Sequence, residues 1–149
     1  MVKVMIDTNG SDWHGTTAEH LWATPVGISL YRLENSPFCA YNVSYQDVVV
    51  AREDGDGILR FERVENRGGH STYRILLKPS SKKSDFETYW RPIEQLGCSY
   101  ESSSDPETRF SVDVPAPADI YKVYSLLENG ERDEVWTFEE AHCGHPLRG

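Results

Sequence analysis

The chain has 149 residues, 38% hydrophobic and 11% aromatic, which is too rich in large apolar side chains for a disordered protein. A chain of this length can bury a substantial core without disulfides or metals. Its formal net charge of −9 lies in the second half, because residues 1–83 carry ten acids and ten bases, whereas residues 84–149 carry fourteen acids and five bases. Nucleic-acid binding requires neutralised phosphates, so this balance argues against DNA or RNA as a partner.

Cysteine usage predicts a reducing compartment. Cys39, Cys98 and Cys143 are an odd number at wide spacing, and the N-terminus lacks the apolar segment of a signal peptide. No run of about 18 apolar residues could cross a bilayer. We therefore expect a cytoplasmic protein without a membrane partner. His142, Cys143 and His145 carry metal-binding atoms but not a recognised ligand spacing, so neither a metal nor a cofactor is predicted.

The first half alternates short apolar runs with turn residues, which is typical of short strands. Strands are predicted at 21–24, 28–33, 47–51 and 58–65. The string Asp54-Gly55-Asp56-Gly57 predicts a tight turn between the last two, because glycine readily adopts positive φ. Residues 1–68 are therefore predicted to form a small bent sheet or barrel.

The second half predicts the order β-α-β-β-α-β. Its strands are expected at 72–78, 98–102, 109–114 and 134–140. The first helix is predicted to begin at a capping box formed by Ser84 and Glu87, and the second to run from about Ala118 to the stop signal Asn129-Gly130. This order is that of a ferredoxin-like lobe, in which two helices cover one face of a four-stranded antiparallel sheet.

The predicted organisation is an α+β protein with a β-rich lobe at 1–68, a ferredoxin-like lobe at 69–141 and a flexible tail at 142–149. The two lobes are expected to form one compact unit. Strand alternation places a polar set on the sheet face turned away from the helices. That face is wet, covered by the first lobe, or offered to a partner. The set comprises Arg74, Leu76, Ser111, Asp113, Thr137 and Glu139.

The most distinctive local string is Gly69-His70-Ser71-Thr72. A histidine beside a serine suggests a base and its nucleophile, but neighbouring residues of a strand point to opposite sides. We interpret the string as a turn between lobes in which His70 and Ser71 hydrogen-bond to loop backbone. No catalytic residue is predicted, and an enzyme that uses His70 and Ser71 stays an alternative.

An acidic cluster stands near the C-terminus, with six carboxylates and one base, Arg132, between residues 128 and 140. The acids are Glu128, Glu131, Asp133, Glu134, Glu139 and Glu140. Acids of this kind can be a solvated loop and an edge strand guarded against mispairing, or paired carboxylates for glycosidic chemistry. They can also form a negative surface that attracts a cationic partner.

Several strings together resemble one bacterial family, domain of unknown function 4265. They span most of the chain, and the more specific are Gly69-His70-Ser71-Thr72 and Leu96-Gly97-Cys98, with Val112-Asp113-Val114-Pro115 in support. The resemblance implies one two-lobe unit. It implies no activity and no catalytic residues.

The leading functional hypothesis is a non-catalytic protein that binds a basic protein partner through its acidic half. Its most concrete form is an immunity protein or antitoxin that neutralises a cationic toxin, such as a nuclease, by covering the site where phosphates would lie. The alternative from another class is a small-molecule-sensing module built on the ferredoxin-like lobe, with a homodimer as a further option.

Overall fold

The computed structural model describes residues 1–8, 18–102 and 107–148. Its first five strands close into a barrel. They are β1 (Val2–Asp7), β2 (Ala18–Gly27), β3 (Leu30–Leu33), β4 (Val48–Glu53) and β5 (Leu59–Asn66). Neighbours along the chain pair antiparallel, and β1 closes the barrel by pairing parallel to β5 at Met5 and Arg60.

The barrel is closed by a strand that the sequence did not predict. In β1, Val4 and Ile6 alternate with exposed or half-buried neighbours and point into a core shared with Leu21 and Leu33. The predicted turn between β4 and β5 is confirmed. There the Asp54 carboxylate accepts two backbone N–H groups.

The second half forms a mixed α/β layer, with two helices packed on a four-stranded antiparallel sheet of order β7-β8-β6-β9. The strands are β6 (Ser71–Leu77), β7 (Ser99–Ser102), β8 (Arg109–Val114) and β9 (Trp136–His142), and the helices are α1 (Lys83–Gln95) and α2 (Ile120–Arg132). The core between sheet and helices includes Ile75, Phe86, Ile93, Leu127 and Trp136.

Two predicted helix ends are wrong. The helix α1 is capped by Asp85, whose carboxylate accepts the Lys82 N–H, and not by Ser84 and Glu87. The helix α2 does not stop at Gly130 but continues to Arg132. Gly130 is required inside the helix, because an added Cβ would lie 2.5 Å from Nε1 of the buried Trp136. The glycine at position 130 therefore makes room for the Trp136 indole, and the chain leaves the helix only after Arg132.

The barrel covers the sheet face that is turned away from the helices. The connection between β3 and β4, residues 34–47, lies over that face and hydrogen-bonds to it at several points. Ser36 contacts Ser111, and Ser44 contacts Thr72, with oxygen separations of 2.7 and 2.6 Å. Of the three possibilities for this face, the structure shows coverage by the first lobe.

Candidate functional site

The covered sheet face carries two rows of mostly polar side chains, which the strand register places side by side. One row contains Glu139, Arg74, Ser111 and Glu101, and the next contains His142, Thr72, Asp113 and Ser99. Polar groups removed from water must find partners, so the barrel connection and the sheet satisfy each other through hydrogen bonds.

Arg74 is the buried cation of this layer, with 2% of its surface exposed. Its Nε lies 3.2 Å from the Glu139 carboxylate, one terminal nitrogen donates to the Ala40 carbonyl, and the guanidinium stacks on the Tyr41 ring. The Tyr41 hydroxyl also donates to Glu139. Glu139, predicted to bind a partner, is therefore the counter-ion of a buried arginine.

His70 and Ser71 have different partners. The His70 Nδ1 lies 2.8 Å from an Asp113 carboxylate oxygen, and the imidazole packs edge-on against Tyr45. A carboxylate accepts, so Nδ1 carries the proton. Burial raises the pKa of Asp113, while the hydrogen bond from His70 opposes that rise. The prediction that His70 hydrogen-bonds to loop backbone is therefore wrong, because its partner is the Asp113 side chain.

Ser71 is fully buried, and its hydroxyl lies 2.6 Å from Nδ1 of His145. The Gly144 N–H donates to the same hydroxyl oxygen. Nε2 of His145 donates to the Pro115 carbonyl, so Nδ1 is left to accept from Ser71. The segment predicted as a flexible tail, residues 142–149, thus includes a buried histidine anchored on β6 and on the end of β8.

The remaining motif residues serve the junction between the lobes. Gly69 has φ +85°, and an added Cβ at Gly68 would lie 2.7 Å from the Gln46 carbonyl oxygen. The buried Thr72 bonds to Ser44 of the barrel connection. The string Gly69-His70-Ser71-Thr72 therefore joins the two lobes, and its His70 also forms the pair with Asp113 of β8.

A cavity of about 230 Å³ opens between the lobes beside this pair. Its lining comes from the barrel connection and from β7 and β8. The lining residues are Ser36, Tyr45, Ser99, Tyr100, Glu101, Ser111 and Asp113. Two carboxylates and no basic residue lie among them. Sequence reasoning placed Asp113 on this face by strand alternation, but no local signal marked Glu101.

Apart from Glu139, which pairs with the buried Arg74, the members of the acidic cluster are exposed. We call the exposed residues Glu128, Glu131, Asp133 and Glu134, at the C-terminal end of α2, the acidic tip. Glu140, in β9, is exposed and accepts a hydrogen bond from the Tyr73 hydroxyl. Within the described part of the chain, Arg132 is the one base that forms an ion pair with the tip, through Asp133.

The chain leaves α2 through a Schellman motif centred on the acidic tip. The Val135 N–H donates to the Gly130 carbonyl, and the Glu134 N–H donates to the Glu131 carbonyl. Glu134 therefore occupies the left-handed position, with φ +60°. Glycine is the usual residue there, because a Cβ is strained in this conformation.

Two members of the tip also hold neighbouring structure. The Glu131 carboxylate accepts the Phe138 N–H from the edge strand β9, and the Tyr89 hydroxyl donates to Asp133 at 2.7 Å. That hydrogen bond lowers the pKa of Asp133, so its carboxylate stays charged at neutral pH. Two of the four carboxylates of the tip are thus fixed by hydrogen bonds.

Cys39 and Cys98 are buried, and burial raises the pKa of Cys98 to about 12.

Within residues 1–8, 18–102 and 107–148, no group of three or more metal-ligating side chains could hold an ion. In the same ranges, no helix is long and apolar enough to span a membrane.

The comparisons with known proteins define first the fold and then the family. A crystal structure of a hypothetical protein from Neisseria gonorrhoeae is similar over 95% of this chain and 94% of that chain, with a TM-score of 0.78 and 19% identity. The two-lobe architecture is therefore one that occurs in a solved protein. The chain belongs to the family described as domain of unknown function 4265, which matches residues 19–138. No curated protein matches it.

Proposed function

We propose that this protein is a non-catalytic binding protein whose acidic tip grips a cationic protein partner. The observation that carries the proposal is the placement of the tip, which stability explains only in part. Glu131 and Asp133 hold neighbouring structure. In the described part of the chain, no side-chain hydrogen bond gives Glu128 or Glu134 such a role. The C-terminal end of a helix is its negative end, where cations are favourable and carboxylates are not. Glu131, Asp133 and Glu134 stand in the last turn or directly after it, and Glu128 lies one turn earlier.

A second cost falls on the same residues. Glu134 holds a left-handed backbone conformation that glycine or asparagine would adopt with less strain. A sequence that keeps a charged side chain at a strained position, beside the unfavourable end of a helix dipole, breaks two local rules at one point. Unfavourable backbone strain and unfavourable charge at the same point are expected where a surface serves binding rather than stability.

The most concrete form of the proposal is an immunity protein or antitoxin of the cytoplasm that neutralises a cationic toxin. A nuclease fits this description, because its substrate site must attract phosphates and would attract carboxylates equally. The fixed carboxylates of the tip would then lie where phosphates bind. Glu139 is excluded from this role, since its carboxylate compensates the buried Arg74.

A second candidate function is a ligand-sensing module, with the second lobe of ferredoxin-like type. The element order of that lobe and its strand order β7-β8-β6-β9, with the first and third strands central, favour this type. Such a module could use the edge strand β7 for pairing with a second copy.

The first proposal is tested by co-expression with the product of each neighbouring gene in a bacterial host. The chain should protect the host from a toxic neighbour and co-elute with it on size exclusion. The triple variant Glu128→Lys, Glu131→Lys, Glu134→Lys should lose protection and complex. A matched triple reversal on the barrel, Glu53→Lys, Glu62→Lys, Glu65→Lys, should keep both. Loss in both variants, or in neither, would reject the acidic tip as the binding surface.

A further inference from the structure

The cavity between the lobes has the features of a small, charged ligand site that is separate from the acidic tip. It has a volume of about 230 Å³ and lies against β7, whereas the tip adjoins β9, and these strands are opposite edges of the sheet. Pockets that receive small ligands are concave, largely pre-formed and supplied with a few placed polar groups. The cavity fits this description on a small scale.

The polar groups of the cavity are held in place. The Glu101 carboxylate accepts the Ser36 N–H at 2.6 Å and the Asn35 side-chain amide at 3.1 Å. The Ser111 hydroxyl donates to the Pro37 carbonyl at 2.7 Å, so it accepts from the Ser36 hydroxyl. The site is thus rigid before any ligand enters, which lowers the entropic cost of binding.

The charge of the cavity is negative and only partly compensated. Glu101 and Asp113 both line it. Among the described residues, the ion pair formed by these two carboxylates is that of Asp113 with Nδ1 of His70. Burial is the main cause of the raised pKa of Asp113, and the charge of Glu101 adds to it, as expected for two acids that share a cavity. The Tyr45 side chain adds an aromatic wall.

We propose that this cavity binds an organic cation, a primary ammonium or guanidinium group on a short chain. Such a group donates several charge-assisted hydrogen bonds to Glu101 and Asp113, while its alkyl stem packs against the Tyr45 ring. The cation can be a free small amine or the side chain of a lysine or arginine from a partner. The proposal does not rest on the proposed function, because none of its residues belongs to the acidic tip.

The test is a titration of the full chain with agmatine at pH 7.5, because agmatine carries both a primary ammonium and a guanidinium group. Binding is measured by calorimetry and by changes in the backbone amide chemical shifts. Agmatine should bind, with shifts centred on Tyr45, Glu101 and Asp113. Asp113→Asn loses the charge but keeps the shape and an oxygen that accepts from His70. Glu101→Gln loses the charge together with one of the two oxygens that accept from Ser36 and Asn35. Each should weaken binding about tenfold or more. The control Glu128→Gln, in the acidic tip, should bind agmatine unchanged.

Two further ligands separate the sources and the rival chemistry. The peptide acetyl-Gly-Arg-Gly-amide should bind with similar affinity if the site receives a partner's side chain, and should fail while agmatine binds if it receives free amines. Both results support an organic-cation site. Failure of agmatine to bind, equal binding of glucose or 1-butanol, or unchanged affinity in both charge-neutral variants would overturn it.

Discussion

Replacing Glu134 by glycine should stabilise the protein while weakening its proposed binding surface. Glu134 has φ +60°, and the left-handed conformation costs a residue with a Cβ about 1–2 kcal/mol. Glycine removes that cost but adds roughly 0.5–1 kcal/mol of unfolded-state entropy. The net gain is then about 0–1.5 kcal/mol, and its midpoint corresponds to roughly 2–3 °C in Tm for a chain of this size.

Thermal and urea unfolding of Glu134→Gly measure this gain, and two controls separate its causes. Glu134→Gln removes the charge and keeps the strained backbone, so it should recover only a small part. Glu128→Gly makes the same replacement inside α2, where glycine costs about 1 kcal/mol relative to good helix formers, so it should destabilise. A destabilising Glu134→Gly, or a Glu134→Gln variant with the full gain, would refute the backbone argument.

Three other substitutions have defined outcomes. Gly130→Ala should destabilise by roughly 1–3 kcal/mol in urea unfolding, because the added methyl overlaps a buried indole, whereas Gly55→Ala, with nothing within 4 Å, should not. Glu139→Gln should cost about 3 kcal/mol by leaving the Arg74 charge buried without its partner, and Arg74→Met in the same chain should restore much of this loss. Asp113→Asn should raise Tm at pH 7, and the gain should shrink toward pH 4 in a pH series of melting curves.

Asp113→Asn stabilises the protein at pH 7 because the pKa of Asp113 is raised in the folded state. A raised folded-state pKa means that the folded protein holds this proton more tightly than the unfolded chain does. The resulting stability is fully present below the unfolded pKa and is lost as pH rises through the folded pKa. At pH 7 the ionised, desolvated carboxylate is therefore a cost, which asparagine removes while still accepting from His70. Equal Tm differences at pH 4 and pH 7 would contradict this reasoning.

Periodicity predicted most strands and both helices, because these elements bury one face and their apolar spacing records it. Phe86, Trp90 and Ile93 fall at helical spacing, and all three are buried in α1. The helix ends were less predictable. Gly130 is a typical stop signal, yet the contact that requires glycine there is made by Trp136, six residues further along the chain. Local patterns do not report such tertiary contacts.

The candidate sites show the same division. The acidic tip could be predicted, since its residues are close in sequence. The role of Glu139 could not, because it depends on strand register with Arg74, 65 positions earlier. The cavity between the lobes combines the β3–β4 connection with β7 and β8, which are joined by the fold alone. A single sequence contains the pieces of that site but not their proximity.

If the acidic tip recruits a cationic protein, its charge must govern the association rate constant with the co-purified partner. Stopped-flow measurements at about 20 and 300 mM salt should show a wild-type rate that falls at least tenfold, because salt screens charge steering. The triple lysine variant of Glu128, Glu131 and Glu134 should associate more slowly and depend far less on salt. Identical rates and salt dependence for the two proteins would contradict the account.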